Sequence, residues 1–348
     1  MSVIERYPRG FAHIQEFYRE LSSLPTLTQF GIVFGPALLF PVLYIYGLTS
    51  WQFLNTMTLT FLFIGLGHGW NVIGGYAGQI SLGHAVMFAA GAYTTAVLLV
   101  YYGVTPWVGI PLGGLIAVSV GLLLGGLTFR LRYHYFALAT LAATLAVESL
   151  FNRWDFIGAS VGIYYAGVET GVASFIFDPR WLHFYVMWIF ALGVTALIYR
   201  LHHSKLGIYL KAIKMDQELA ANAGLNVYRY KMYAMGISSF IVGIGGGLYV
   251  QYVNFVSPVE TLDLMRNVEI LLVPILGGLG TVFGPVIGGF IYMPTREYTR
   301  GMFAGTLVGV DWVLFGFVLL AVVIYAPNGL IVRLREKVAS AIGDDTDD

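Results

Sequence analysis

Cysteine is absent from the 348-residue chain, which excludes a disulfide framework, a thiolate metal site and a cysteine nucleophile. Charge is scarce: Asp, Glu, Lys and Arg make up 11% of the residues, less than half of the ~25% usual in a soluble domain. A chain so poor in charge cannot clothe itself in a water-exposed surface, so an ordinary soluble globular protein is excluded. The few charges balance, 19 basic against 19 acidic, and leave no basic surplus for a nucleic-acid partner. No Gly-x4-Gly-Lys-[Ser/Thr] phosphate loop occurs, so the chain does not hydrolyse ATP by that route, and no His-Glu-x-x-His is present. His13, His68, His84, His134, His183, His202 and His203 show no metal-ligand spacing. A membrane-embedded enzyme would need a clustered acid/base or metal set, which the sequence does not offer.

What the chain has is apolar length and glycine. It is 57% hydrophobic and 16% aromatic, with a mean hydropathy of +0.74. Its 43 glycines exceed the usual share of ~7%, and closely packed membrane helices need small residues at their contacts. A bilayer-spanning helix requires ~20 mostly apolar residues. Residues 30–48, 53–73, 80–101, 107–128, 135–151, 182–201, 232–255 and 307–326 meet that test. The expected fold is an all-α polytopic integral membrane protein with about eight spanning helices. A further apolar stretch, 267–292, is broken by Pro274, Gly277, Gly278, Gly280, Gly284 and Pro285.

The first 29 residues mix both charge signs and lack the apolar core of a secretory leader. Phe11, Ile14, Tyr18 and Leu21 recur at helical spacing, so residues 11–24 are expected to form an interfacial amphipathic helix. With the N-terminus inside, 14 of the 19 Lys and Arg fall on the cytoplasmic side, as basic loops should. For Arg333 and Arg335 to stay inside as well, 267–292 must enter and leave on one face. A re-entrant hairpin is therefore expected, descending over 261–277 and ascending over 284–298, with both termini cytoplasmic. The chain then divides into the N-terminal segment 1–29, a transmembrane domain 30–326 containing a cytoplasmic loop 202–231, and a cytoplasmic tail 327–348.

Within that loop, Asp216-Gln217-Glu218-Leu219-Ala220-Ala221-Asn222-Ala223-Gly224-Leu225 reads as a short helix. Asp216 is its N-cap, Gly224 the left-handed stop, and Leu225 folds back on the last turn. Such a helix has little apolar surface of its own to bury and suits docking into a partner, although an ordinary surface helix would read the same way. Glu218, Leu219, Ala220, Ala221 and Gly224 resemble the Glu-Ala-Ala-x-x-x-Gly coupling signature of ABC-importer permeases, with Leu219 in the place of the first alanine. Gly74-Gly75-Tyr76-Ala77-Gly78-Gln79-Ile80-Ser81-Leu82-Gly83-His84, continuing to Tyr93, resembles the glycine-rich motif of branched-chain amino-acid (LivM-like) permeases. Leu276-Gly277-Gly278-Leu279-Gly280-Thr281-Val282-Phe283-Gly284-Pro285 does so too. The resemblance covers about residues 55–330. It implies a multi-pass protein of the inner membrane that binds no cofactor itself and relies on ATP consumed by partner subunits. The implied partners are a second related permease, two ATP-binding cassette ATPases and an extracytoplasmic solute-binding protein. The implied substrates are leucine, isoleucine and valine, with urea or short amides carried by relatives.

Physically, glycines this dense loosen a helix. Irregular backbone at membrane depth survives only where protein or a wet cavity satisfies it. Gly74, Gly75, Gly78, Gln79, Ser81, Gly83, Tyr93, Gly277, Gly278, Gly280, Thr281 and Gly284 are therefore candidates to line a translocation pathway or to act as hinges. The competing reading is plain helix packing, since Gly74–Gly78, Gly121–Gly125, Gly243–Gly247 and Gly284–Gly288 keep small-xxx-small spacing. Tyr249 and Tyr252 suit either a pathway or an aromatic belt. Glu148, Glu269 and Asp311 lie in or beside apolar runs toward the outer face, where they suit interfacial anchoring or contact with substrate or binding protein. An ion-coupled secondary transporter would use such carboxylates, but mid-membrane. In the importer reading, residues 211–226 are expected to move as one rigid lever that switches the cavity between faces.

Overall fold

The computed structural model describes residues 26–131, 134–177 and 181–303, with residue 316 alone beyond them. The amphipathic segment expected over 11–24, the expected span 307–326, Asp311 and the tail 327–348 lie outside the described residues.

The run 30–48, expected as one span, is three pieces: α1 (Thr26–Phe34), a 3-10 turn (Pro36–Leu39) and α2 (Phe40–Ile45). Pro36 and Pro41 lack the N–H that continues a helix and sit at the joints. α3 (Trp51–Asn71) starts where the Ser50 side chain accepts from the Phe53 N–H at 3.2 Å. It carries Thr, His, Asn and Gly instead of an apolar stripe, and nearly every residue from Leu54 to Asn71 is buried in protein. The hydroxyls of Thr56, Thr58 and Thr60 donate to carbonyls four residues back at 2.8 Å, and His68 bonds Thr195 at 3.0 Å. Hydrogen bonds made within the protein by these hydroxyls and by His68 Nε2 let a helix of this composition run through the centre of the molecule.

A single π turn (Val72–Tyr76) follows, then irregular backbone. α4 (His84–Tyr102) thus begins four residues later than expected, after Gly78, Ser81 and Gly83. Next come α5 (Pro106–Thr128), α6 (His134–Phe151) and α7 (Leu182–His203), the short α8 (Lys205–Met215) and α9 (Gln217–Asn222), and α10 (Val227–Val253). Five of these, α4, α5, α6, α7 and α10, are long and apolar enough to cross a membrane. α4, α5 and α10 meet backbone to backbone: a Cβ on Gly91 would fall on the Gly243 carbonyl, and one on Gly243 against the Ala117 side chain. Here the glycines serve packing.

α11 (Pro258–Leu262), α12 (Leu264–Gly277) and α13 (Gly284–Phe303) close the described chain. The broken stretch is two helices folded back on each other, with Gly277 packed against Gly284 and Gly288 against the Val273 carbonyl. The descending helix starts at Leu264 and not 261, because Asp263 separates it from α11. The described residues depart from all-α where β1 (Ile163–Tyr164) pairs antiparallel with β2 (Phe255–Val256), tying the loop after α6 to the end of α10.

The loops sort to two ends. Residues 72–83, 202–226 and 278–283 share the end expected inside, joined by the Tyr76 hydroxyl to His202 at 2.9 Å and by Asn71 to Gly280 at 2.9 Å. The β1–β2 pair, α11 and the ends of α12 and α13 around Arg266 and Arg296 share the other.

Candidate functional site

At the first end, α9 is capped as its sequence dictates. The Asp216 carboxylate accepts from the Glu218 and Leu219 N–H groups at 2.8 and 3.0 Å. Gly224 stands at φ +87°, and the Leu225 N–H returns to the Ala220 carbonyl at 3.1 Å, a Schellman closure. Only Ala220 faces inward; Glu218, Ala221 and Gly224 are exposed, and Met215 and Leu219 are 89% and 67% exposed. The expected lever 211–226 is not one helix: Asp216, extended at φ −155° and ψ 115°, separates α8 from α9. The two remain tied to the body. Lys231 donates to Gln217 at 2.9 Å, and Lys211 meets His202 at 3.0 Å. Burial draws the Lys211 ammonium's pKa below the ordinary lysine value.

The two glycine-rich motifs meet at this end. The Asn71 side chain accepts from the Gly280 N–H at 2.9 Å and donates to the Thr281 carbonyl at 3.1 Å, so one amide holds the tip of the α12–α13 hairpin. Gly280 (φ +76°) has no room for a Cβ beside the Gly75 carbonyl. Gly78 (φ +69°) lies against Lys214, whose Nζ in turn lies beside Gly280. Gly74 packs on the Trp70 ring one turn before it. Several backbone groups between residues 77 and 85 are bonded within the protein. Trp70 Nε1 donates to the Ser81 carbonyl at 2.8 Å, Thr140 accepts from Leu82 at 3.0 Å and Asn267 accepts from Ala85 at 2.8 Å. Gln79 is buried with its amide on the Gly78 carbonyl at 3.4 Å. His84 bridges Ser81 and Ser238 at 3.1 and 2.8 Å. Gly83 packs on Thr140, and Tyr93 is buried edge-on to Phe151 at 5.0 Å.

At the opposite end lies a cavity of about 510 Å³ that Tyr249 and Tyr252 line together with Arg266, Glu260, Arg296 and Arg300. Glu269, considered above as an interfacial anchor, is buried beneath it, paired with Arg266 at 2.8 Å and Arg296 at 2.5 Å. Arg266 also donates to the Glu260 carbonyl and the Tyr249 hydroxyl, and lies over the Tyr249 and Phe88 rings at 4.8 and 5.3 Å. Glu148 is half-exposed near Asp263. The three arginines entered the sequence reading only as charges on the outer side. A signal for them exists: Arg266 and Glu269 are three apart, and Arg296 and Arg300 four apart, on one helix face each.

The family described as "Branched-chain amino acid transport system / permease component" matches residues 52–325. The high-affinity branched-chain amino acid permease protein LivM of Escherichia coli K12 is 29% identical, over 83% of this chain and 73% of its own length. LivM of Salmonella typhimurium LT2 is 28% identical over the same shares. The high-affinity branched-chain amino acid permease protein LivH of that Salmonella strain is 23% identical, over 81% of this chain and 95% of its own. No solved structure matches the chain. The chain, a helical bundle with five membrane-length apolar helices among its described residues, both glycine motifs and the capped α9, therefore belongs to the branched-chain amino acid transport permease family.

Proposed function

We propose that this chain is the transmembrane permease subunit of an ABC importer of the inner membrane that carries leucine, isoleucine and valine into the cytoplasm. It binds no cofactor of its own; ATP is consumed by two ATPase subunits. A second, LivH-like permease chain completes the pore, and an extracytoplasmic binding protein delivers the solute. The observation that carries the reading is α9: a doubly capped helix presenting Leu219 and the adjacent Met215 to solvent at the end of a basic loop. Exposed apolar side chains on a pre-ordered element suit docking into a partner. Push on α9 reaches the body through Gln217–Lys231 and through Lys214, which touches both glycine motifs. In this mechanism α8 and α9 move as two linked rods, and Gly78 and Gly280 form the joint on which the α12–α13 hairpin shifts during alternating access.

The test is uptake of radiolabelled leucine, valine and urea into proteoliposomes holding the complete transporter, with ATP inside and ion gradients collapsed by ionophore. ATP-dependent leucine uptake that survives the ionophore is expected. Uptake lost with the gradients would instead identify an ion-coupled transporter, and urea carried in place of leucine would move the chain to the amide-carrying relatives.

A further inference from the structure

The cavity between α3, α10, α11, α12 and α13 is not an apolar packing void. Its volume of about 510 Å³ falls in the range of small-molecule pockets, roughly 300–1,000 Å³. Its ionised groups are matched: Arg266, Arg296 and Arg300 against Glu260 and Glu297 on the wall and Glu269 just beneath. Their availability is not equal. Arg266 is 8% exposed, with its N–H groups directed to Glu269, Tyr249 and the Glu260 carbonyl, and Glu269 is held by two guanidiniums. These form a buried frame. Arg300 is exposed, one turn from Arg296 on the same side of α13. From another element, α11, the Glu260 carboxylate receives only the Tyr249 hydroxyl among the described residues, at 3.4 Å.

A solute with one charge of each sign satisfies both groups at once and leaves the cavity neutral. A lone cation or anion leaves one of them desolvated and unpaired, and a neutral amide engages neither fully. Leu59, Val253 and the Tyr252 ring supply apolar surface beside these groups. We propose that this cavity docks the zwitterionic head of an α-amino acid, with Arg300 taking the carboxylate and Glu260 the ammonium. Leu59, Tyr252 and Val253 cover a hydrocarbon side chain. The proposal rests on the amino-acid permease reading and adds where the solute binds and why its charge pattern is selected.

Two measurements on the reconstituted transporter test it. Arg300→Gln and Glu260→Gln should each lower leucine uptake about tenfold or more, with Arg300→Lys restoring much of the loss. Independently, the native chain has no cysteine, so Val253→Cys offers a single thiol in the cavity. Leucine should slow its labelling by a sulfonate-bearing methanethiosulfonate, whereas leucinamide, which lacks the carboxylate, and 4-methylpentanoate, which lacks the ammonium, should not. A wild-type transporter that carries leucine while both Gln variants match it, or labelling that all three solutes slow equally, overturns the cavity assignment alone. A wild-type complex without leucine uptake overturns the permease reading and the assignment with it.

Discussion

Glu269, itself buried, holds two arginines at the floor of the cavity, one buried and one partly exposed. Removing one partner of a buried ion pair leaves an uncompensated charge, at a cost of about 3–5 kcal/mol. Glu269→Ala is therefore expected to lower the thermal midpoint of the purified chain far more than Glu269→Gln, which keeps an acceptor for the guanidiniums; equal midpoints would show that the frame does not stabilise the fold. Gly78 and Gly280 are constrained differently, by positive φ and by neighbours that leave no room for a side chain. Gly78→Val and Gly280→Val are expected to impair uptake while the chain still reaches the membrane, read as transport normalised to inserted protein. Their density in the sequence marked these glycines, but it did not separate them from Gly121 or Gly243. All sit in small-residue patterns, and only the backbone shows that Gly243 approaches a neighbouring helix whereas Gly280 turns a corner.

α9 owes its form to its ends. Asp216 supplies two hydrogen bonds to otherwise orphaned N–H groups, and an Asp→Ala change at an N-cap costs about 1 kcal/mol. Asp216→Ala should raise amide hydrogen exchange over 217–222 and leave α10 protected; unchanged exchange would mean that packing alone holds α9. Gly224→Pro or Glu218→Lys is expected to abolish transport with insertion intact, and Leu219→Asp to weaken co-purification of the ATPases. Wild-type transport in all three would remove the coupling role. The capping residues were legible in sequence because each acts on backbone no more than five residues away from itself. The break at Asp216 was harder to read. Cap and lever were assigned to overlapping residues, and the extended backbone that an N-cap requires is itself what divides α8 from α9.

As a whole the bundle places α9 and the joined glycine motifs at one end and the arginine–glutamate cavity at the other. If the work comes from outside the chain, the polypeptide reconstituted by itself should not accumulate leucine against a gradient, whereas the full assembly with internal ATP should. Accumulation by the lone chain would show that it does not depend on ATPase partners. The antiparallel succession of helices also explains why the α12–α13 hairpin lies as it does. Its tip meets Asn71 at the end that carries α9, while its open ends carry Arg266 and Arg296 to the cavity at the other.

The helical, membrane-length character of the chain follows from the amino acids alone, because apolar run length is compared with a fixed bilayer thickness and needs no knowledge of neighbours. The caps of α9 are likewise local. The joining of the two glycine motifs by one asparagine, and the gathering of arginines and glutamates from three helices around Tyr249, were decided only by tertiary packing. Residues some two hundred positions apart share neither periodicity nor spacing in a single sequence. A charge that looks like a lone liability on its own helix becomes one member of a balanced set only when the helices are brought together.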